Sequence, residues 1–336
     1  MLNPKSILHI NVSRIGDTLL ATPVIRAIAH AWPNARITCL GHPKRVELLQ
    51  HLPFVARVGE ITKNRAPWMG RLPGSKQYDL AVVHGFDETL IWYALRVADR
   101  VSAFRQADEA LNRRLYCCTV RPVLDTMHAV DIQLPLIRCL DIQPDGRHLS
   151  YRVSAEEQAA AKRRLHIARV DNQKPLIGIV LESFPTKPYR DWPIEYFVEV
   201  TQSLVERYPR AQFILLGGDV SPDKIQAMRT ALGHRVTVFA GQLSLRESAA
   251  IIGELDLYLG VDTGPTHLAG ALRIPMVALY HCLHRGYILA PLDHSDLEVV
   301  EHPATDAEAS SQLSMADIAV ATVRQSMLKL LAQKYG

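Results

Sequence analysis

Short apolar runs rich in Val, Ile and Leu alternate along this chain with longer stretches of helical period, and the alternation runs once, breaks, and starts again. That is how the strands and crossover helices of a parallel sheet read in sequence, so it restricts the chain to α/β folds. In the first series the strand candidates are Ile7 to Val12, Ile37 to Leu40 and Leu80 to His84. Between them a helix is expected, with Leu20, Val24, Ala27, Ile28 and Ala31 on one face, ending at Trp32-Pro33-Asn34. From about Asp141 to Val153 the chain offers turn residues without either period, which places the interdomain linker there. The second series has strand candidates at Leu176 to Leu181, Phe213 to Leu216, Val236 to Phe239, Leu257 to Val261 and Met276 to Tyr280. Helical patterns fill its gaps at Ile194 to Tyr208, Asp223 to Leu232, Leu245 to Gly253 and Pro265 to Leu272.

Two such series predict two doubly wound, Rossmann-like domains facing each other across a cleft, at 1–150 and 151–314, with ligands at the carboxyl ends of the strands. The stretch Met315 to Leu331 reads as a C-terminal helix, within 315–336, that can pack back across the first domain. A chain of 336 residues that is 48% hydrophobic has enough apolar surface for two cores. Dehydrogenases, epimerases and glycosyltransferases all share this outline, so the loops have to decide among them.

Composition removes several classes first. With 38 Lys and Arg against 34 Asp and Glu, the formal charge of +4 lacks the basic stripe of a nucleic-acid binder. Five cysteines without Cys-x-x-Cys spacing argue against a disulfide framework and a structural zinc site, and fit a reducing cytoplasm. The N-terminus shows no secretion signal and no apolar run is long enough to span a bilayer, so any membrane role is expected to be peripheral.

The first strand ends in Ser13-Arg14-Ile15-Gly16-Asp17-Thr18, where Gly16 and Asp17 face a ligand at the strand-to-helix turn. Asp17 suits a general base or, alternatively, a helix cap; the single glycine is not a dinucleotide cradle. Gly260 to Gly270 repeats the arrangement with Asp262, Thr263, Gly264, Pro265, Thr266 and His267. Small and hydroxylated residues at a helix start, with proline at its first position, leave N–H groups and the helix dipole to favour a diphosphate. His267 reads either as a contact to that donor or as a histidine satisfied between helix and sheet. Between the two loci, Glu182 to Pro193 carries Thr186, Lys187 and Arg190, two cations and a hydroxyl able to clamp a diphosphate, or else a solvated loop anchored by Trp192. The sequence holds no Asp-x-Asp pair for a divalent cation, no P-loop and no Gly-x-Ser-x-Gly. His281, Cys282 and His284 lack a fourth ligand and read as structural, so neither metal nor cofactor is expected.

Arg14-Ile15-Gly16-Asp17 with Thr22-Pro23, the Trp192-Pro193 pair, and Asp262-Thr263-Gly264-Pro265-Thr266-His267-Leu268-Ala269, in this order and spacing, resemble glycosyltransferase family 9, the bacterial lipopolysaccharide heptosyltransferases. The resemblance covers nearly the whole chain. It implies the GT-B architecture, an ADP-heptose donor and inverting transfer without metal. Asp17 then matches the family's catalytic base, and Asp262, Thr263, Gly264 and His267 its diphosphate and sugar site. Leu243 falls near where the family packs adenine, and Gly217-Gly218-Asp219 resembles another donor-facing loop. The family's lysine before Trp-Pro is replaced here by Arg190, with Lys187 as the other candidate for its role, and its Gly-Pro-Thr or Gly-Pro-Ser segment by His281-Cys282-Leu283-His284-Arg285.

The activity expected is transfer of heptose from an ADP-sugar to the inner core of lipopolysaccharide, at the cytoplasmic face of the inner membrane. A related transferase, a sugar-nucleotide epimerase and a noncatalytic nucleotide-sugar binder are the rivals. The acceptor, an anionic lipid-linked saccharide, is expected on Lys63, Arg65, Arg71 and Lys76, because the stretch from Lys63 to Lys76 holds four cations and no acid, interleaved with Trp68, Met69 and Leu72; the alternative, given Pro67, Pro73 and two glycines, is a solvated loop.

Overall fold

The computed structural model of the chain describes residues 2–70, 76–123 and 127–335. Among these residues the strands form two six-stranded sheets, one in each of two compact units, Met1–Arg152 and Val153–Gly336. The first unit contains β1 (Ser6–Asn11), β2 (Arg36–Gly41), β3 (Arg57–Glu60), β4 (Tyr78–Val83), β5 (Ala98–Phe104) and β6 (Cys117–Thr119). They pair in parallel in the order β3-β2-β1-β4-β5-β6. The second unit contains β7 (Leu176–Val180), β8 (Gln212–Leu215), β9 (Val236–Val238), β10 (Leu257–Val261), β11 (Met276–Tyr280) and β12 (Leu297–Glu301). Their order, β12-β11-β10-β7-β8-β9, is the same doubly wound pattern, again parallel throughout. In each unit the winding reverses between the first strand and the fourth, β1 beside β4 and β7 beside β10. The crevice at the carboxyl ends of those two strands is where such sheets take ligands.

Alternation along the strands builds a core on both faces of each sheet. In the first unit Ile7, Leu80 and Val82 join Val24 and Ile28 of helix Thr22–Ala31 on one face, while Leu8, Ile10, Ala81 and Val83 join Ile91 and Ala94 of helix Glu88–Val97 on the other. In the second unit Ile177, Ile179, Leu257 and Leu259 pack with Phe197, Val200 and Leu204 of helix Ile194–Arg207. Trp192 is buried under the start of that helix, donates its indole N–H to the Ile318 carbonyl at 3.1 Å, and meets Phe197 edge-on.

The last helix, Val320–Tyr335, places Val323, Met327, Leu330 and Leu331 in the second unit's own core. The helix expected as one piece after β1 is two, Ile15–Leu20 and Thr22–Ala31, joined at Ala21. The boundary between the units falls within the expected linker stretch, where buried Arg26 bonds the Asp145 and His148 carbonyls, the Asp145 carboxylate and the Ser150 hydroxyl. Cys117 and Cys139 form a disulfide where none was expected, while Cys39, Cys118 and Cys282 are free. No helix among the described residues is long and apolar enough to cross a membrane.

Candidate functional site

In the first unit the chain leaves β1 and enters helix Ile15–Leu20, with Asp17 in its first turn. The N-cap is Arg14, and no side chain caps that turn. The Asp17 carboxylate is exposed and meets no described partner, so the capping alternative fails. Its loop is nevertheless fixed by others: Arg45 donates to the Ser13 carbonyl at 2.9 Å, Thr18 donates its hydroxyl to the Arg14 carbonyl at 2.8 Å, and Asn11 reaches the Asp17 carbonyl at 3.4 Å. Gly16 is half-buried beside it. Across the crevice, directly after β4, stands buried His84, whose Nδ1 bonds Gln133 at 2.9 Å and whose ring lies 4.6 Å from that of His9. Burial pushes His84 down to about 4, the Gln133 bond opposing and the Arg121 charge assisting. His9 is held low by burial and by His84. The sequence did not single out this pair; a histidine in the middle of an apolar strand was its signal.

The cationic stretch does not form one patch. A parallel crossover must return from the carboxyl end of β3 to the amino end of β4, so its charges are divided between the two ends of the sheet. Lys63 and Arg65 follow β3, and Lys63 pairs with Asp87 at 2.8 Å. Lys76 precedes β4 and pairs with Asp99 at 3.2 Å. Acids distant in sequence therefore offset a stretch that holds none itself. Trp68 is 73% exposed, but Met69 packs on the first unit's core. Arg96 holds the Ala66 and Met69 carbonyls. Arg71 and Leu72 lie outside the described residues.

In the second unit the loops leaving β7 and β10 meet at the corresponding crevice. Arg190 ends the turn Pro188–Arg190, and its buried guanidinium bonds both the carboxylate and the carbonyl of Asp262, immediately after β10. On the other side His267 Nε2 stands 3.5 Å from Asp262 Oδ1, and its Nδ1 is buried without a partner, so this is not a satisfied framework histidine. Burial pushes the Asp262 carboxyl up, but the His267 bond and the Arg190 charge outweigh it and hold the group below the usual carboxylate range.

Helix Gly264–Ala271 starts at this ion pair, with Pro265 in its first turn. Its N-cap Thr263 makes no side-chain bond to the first turn. Instead Thr263 and Thr266 both donate hydroxyls to the Val261 carbonyl, at 3.2 and 2.6 Å, so they brace the strand end and leave the backbone to face a ligand. On the β7 loop Ser183 ties Asp191 and the Lys187 carbonyl, and Lys224 pairs with both Glu182 and Asp191 at 2.9 and 3.1 Å. On this loop Thr186 is exposed and Lys187 half-buried. Gly217, at φ 111°, turns the chain after β8, and a Cβ on Gly218 would meet open space. The Gly241 N–H donates to the Gly217 carbonyl at 3.2 Å, which brings half-buried Leu243 close to that turn.

Two residues that sequence reasoning did not assign to the site belong beside it. Tyr189 shares a hydrogen bond of 3.1 Å with His284, on the loop leaving β11. Burial, then the charges of Arg190 and Lys187, push the His284 imidazole down to about 4, so it is neutral near pH 7. His281, by contrast, is framework: Nδ1 accepts from the Leu283 N–H at 3.2 Å and Nε2 bonds the Leu313 carbonyl at 3.1 Å. No group of three or more His, Cys, Asp or Glu side chains able to hold a metal occurs among the described residues. The assembled chemistry, a helix start, the Lys187 cation and a glycine turn, suits a phosphate-bearing ligand.

Comparison with known proteins points the same way. The profile of Glycosyltransferase family 9 (heptosyltransferase) matches residues 109–316. The chain is 22% identical to lipopolysaccharide heptosyltransferase 3 of Escherichia coli over 336 aligned residues, covering 94% of this chain and 96% of that protein. Among solved structures, the glycosyl transferase family 9 protein of Veillonella parvula DSM 2008 superposes with a TM-score of 0.84 at 19% identity, covering 99% of each chain. The E. coli ADP-heptose lps heptosyltransferase II superposes at 0.80 with 21% identity, covering 98% of this chain and 100% of that one.

Proposed function

This chain belongs to glycosyltransferase family 9, and from that premise we propose that it is an inverting transferase of the GT-B fold, moving heptose from ADP-heptose to the inner core of lipopolysaccharide. The observation that carries the donor reading is the junction of Arg190, Asp262 and His267 at the start of helix Gly264–Ala271, at the second sheet's crevice. The helix start and Lys187 on the β7 loop would hold the diphosphate and stabilise the charge that grows on ADP as it leaves. Arg190 acts mainly by fixing Asp262, which leaves the direct phosphate contact to Lys187. Gly217, Gly218 and Leu243 border the adenosine.

In the first unit, exposed Asp17 takes the proton of an acceptor hydroxyl. That oxygen bonds to the anomeric carbon from the face opposite ADP, the bond to the diphosphate breaks, and one displacement inverts the centre. The sequence lacks an Asp-x-Asp pair, and the protein's own cations neutralise the phosphates. The acceptor is an anionic lipid-linked saccharide met at the cytoplasmic face of the inner membrane. Of the four cations first considered, Lys63 and Arg65 are the better candidates, because they follow β3 at the same strand ends as Asp17. Calorimetric titration tests the donor: ADP and ADP-heptose are expected to bind and UDP-sugars are not. Equal affinity for UDP-sugars would overturn the assignment.

A further inference from the structure

The turn Pro188–Arg190 sends two adjacent side chains to different tasks. Arg190 enters the protein and pairs with Asp262, while half-buried Tyr189 reaches His284 on the loop that leaves β11. The Tyr189 ring lies nearly parallel to that of His284, at 18° and 6.3 Å between centroids, and edge-on to His281 at 4.9 Å. His281 is itself immobilised by two backbone bonds. The Tyr189 ring is thus set against two histidines, next to the ionic Arg190, Asp262 and Lys187.

An uncharged pair in that place has a particular chemistry. Cations and N–H groups serve a diphosphate, whereas a phenol and a neutral imidazole offer little to an anion and suit a hydroxyl, which both donates and accepts. When Tyr189 donates to Nε2, Nδ1 carries the proton and can donate; when Nε2–H donates to Tyr189, the phenol proton is released to a ligand. In either arrangement the pair keeps one donor and one acceptor for a sugar hydroxyl.

We propose that Tyr189 and His284 form a specificity-determining element that reads a hydroxyl of the donor's sugar, beside the subsite that holds its diphosphate. This rests on the nucleotide-sugar reading of the second unit. A site built to bond a hydroxyl rejects sugars that cannot supply it in the right place, since the polar pair is then left unmatched.

Tyr189→Phe removes one oxygen and keeps the ring contacts, so it is the decisive variant; His284→Asn, which retains a donor and an acceptor, is its companion. Calorimetry with ADP, together with kcat/KM for ADP-heptose and for ADP-mannose, a hexose analogue, separates the effects. ADP affinity in Tyr189→Phe is expected within about twofold of wild type, while the preference for ADP-heptose over ADP-mannose falls roughly 10- to 100-fold, with part of it retained in His284→Asn. An unchanged preference in Tyr189→Phe would overturn the proposal alone, as would an equal loss of affinity for ADP, which would make the pair a support of the phosphate loop. Wild-type protein that bound neither ADP nor ADP-heptose would remove the donor reading itself.

Discussion

Asp17 stands at a strand-to-helix turn whose backbone is fastened by Arg45, Thr18 and Asn11 while its own carboxylate makes no described bond. A base so placed acts mainly in the transition state, so Asp17→Asn is expected to lower kcat by roughly 10²- to 10⁴-fold while ADP affinity stays within about twofold of wild type. Steady-state kinetics beside a calorimetric titration check this, and near-normal turnover would end the assignment. Arg190 and Asp262 behave as one unit if their pairing is the point. Arg190→Gln and Asp262→Asn should each weaken ADP binding, and the double variant should be little worse than the poorer single one. Additive losses would show that Arg190 holds the phosphate directly. His84 carries a pH prediction. Its folded pKa of about 4 lies below the ordinary 6.5, so the unfolded chain takes the proton first. Its stability contribution is full above the unfolded value and is lost as the pH falls toward 4, at about 1.4 kcal/mol per pH unit. His9 acts in the same direction. Urea unfolding of wild type should weaken between pH 7 and pH 5, and His84→Gln should flatten that slope; an unaltered slope would place the buried charge cost elsewhere.

At the scale of elements, helix Val320–Tyr335 and Trp192 share one piece of the second unit's core, since the indole bonds Ile318 just ahead of that helix. Leu330→Ala should therefore destabilise the second unit by about 2–5 kcal/mol, as a buried leucine does, read as a lower urea midpoint. A cost below about 1 kcal/mol would mean that the helix is only loosely docked. This helix shows where sequence reading stopped: an apolar face at helical spacing says that something covers it, not which domain does. Central strands such as β7 and β10 were legible because burial on both faces leaves a continuous apolar run. The edge strands were not. β3 is Arg-Val-Gly-Glu and half exposed, β6 has three residues, and β12, Leu-Glu-Val-Val-Glu, carries two acids. In β5 exposed Asp99 and Arg100 follow Ala98 and interrupt the apolar run, which hides it. Helix Ala155–Ile167 escaped because only Ala161 and Leu165 of its length are buried. The loop residues Asp17, Arg190 and Asp262 were legible because each follows a readable strand. The Arg190–Asp262 pairing and the Tyr189–His284 bond were not, since partners 72 and 95 residues apart meet only through strand order.

At the scale of the whole molecule, the two units repeat one winding and differ in what each sets at its crevice: the exposed Asp17 carboxylate in the first, the ion-paired start of helix Gly264–Ala271 in the second. That division matches a transfer reaction, in which one site activates an acceptor and the other holds an anionic leaving group. If cationic side chains and a helix start serve the diphosphate, as proposed, EDTA should leave turnover within about twofold of its untreated value; complete loss restored by magnesium or manganese would contradict this. The most direct measurement is ADP release from ADP-heptose, followed with and without heptose-deficient lipopolysaccharide, with mass spectrometry of the lipid. The expected result is ADP formed only when acceptor is present, in step with one heptose added per acceptor in inverted anomeric configuration. Turnover of ADP-heptose without acceptor, or ADP release that leaves the lipid unmodified, would contradict the transferase assignment.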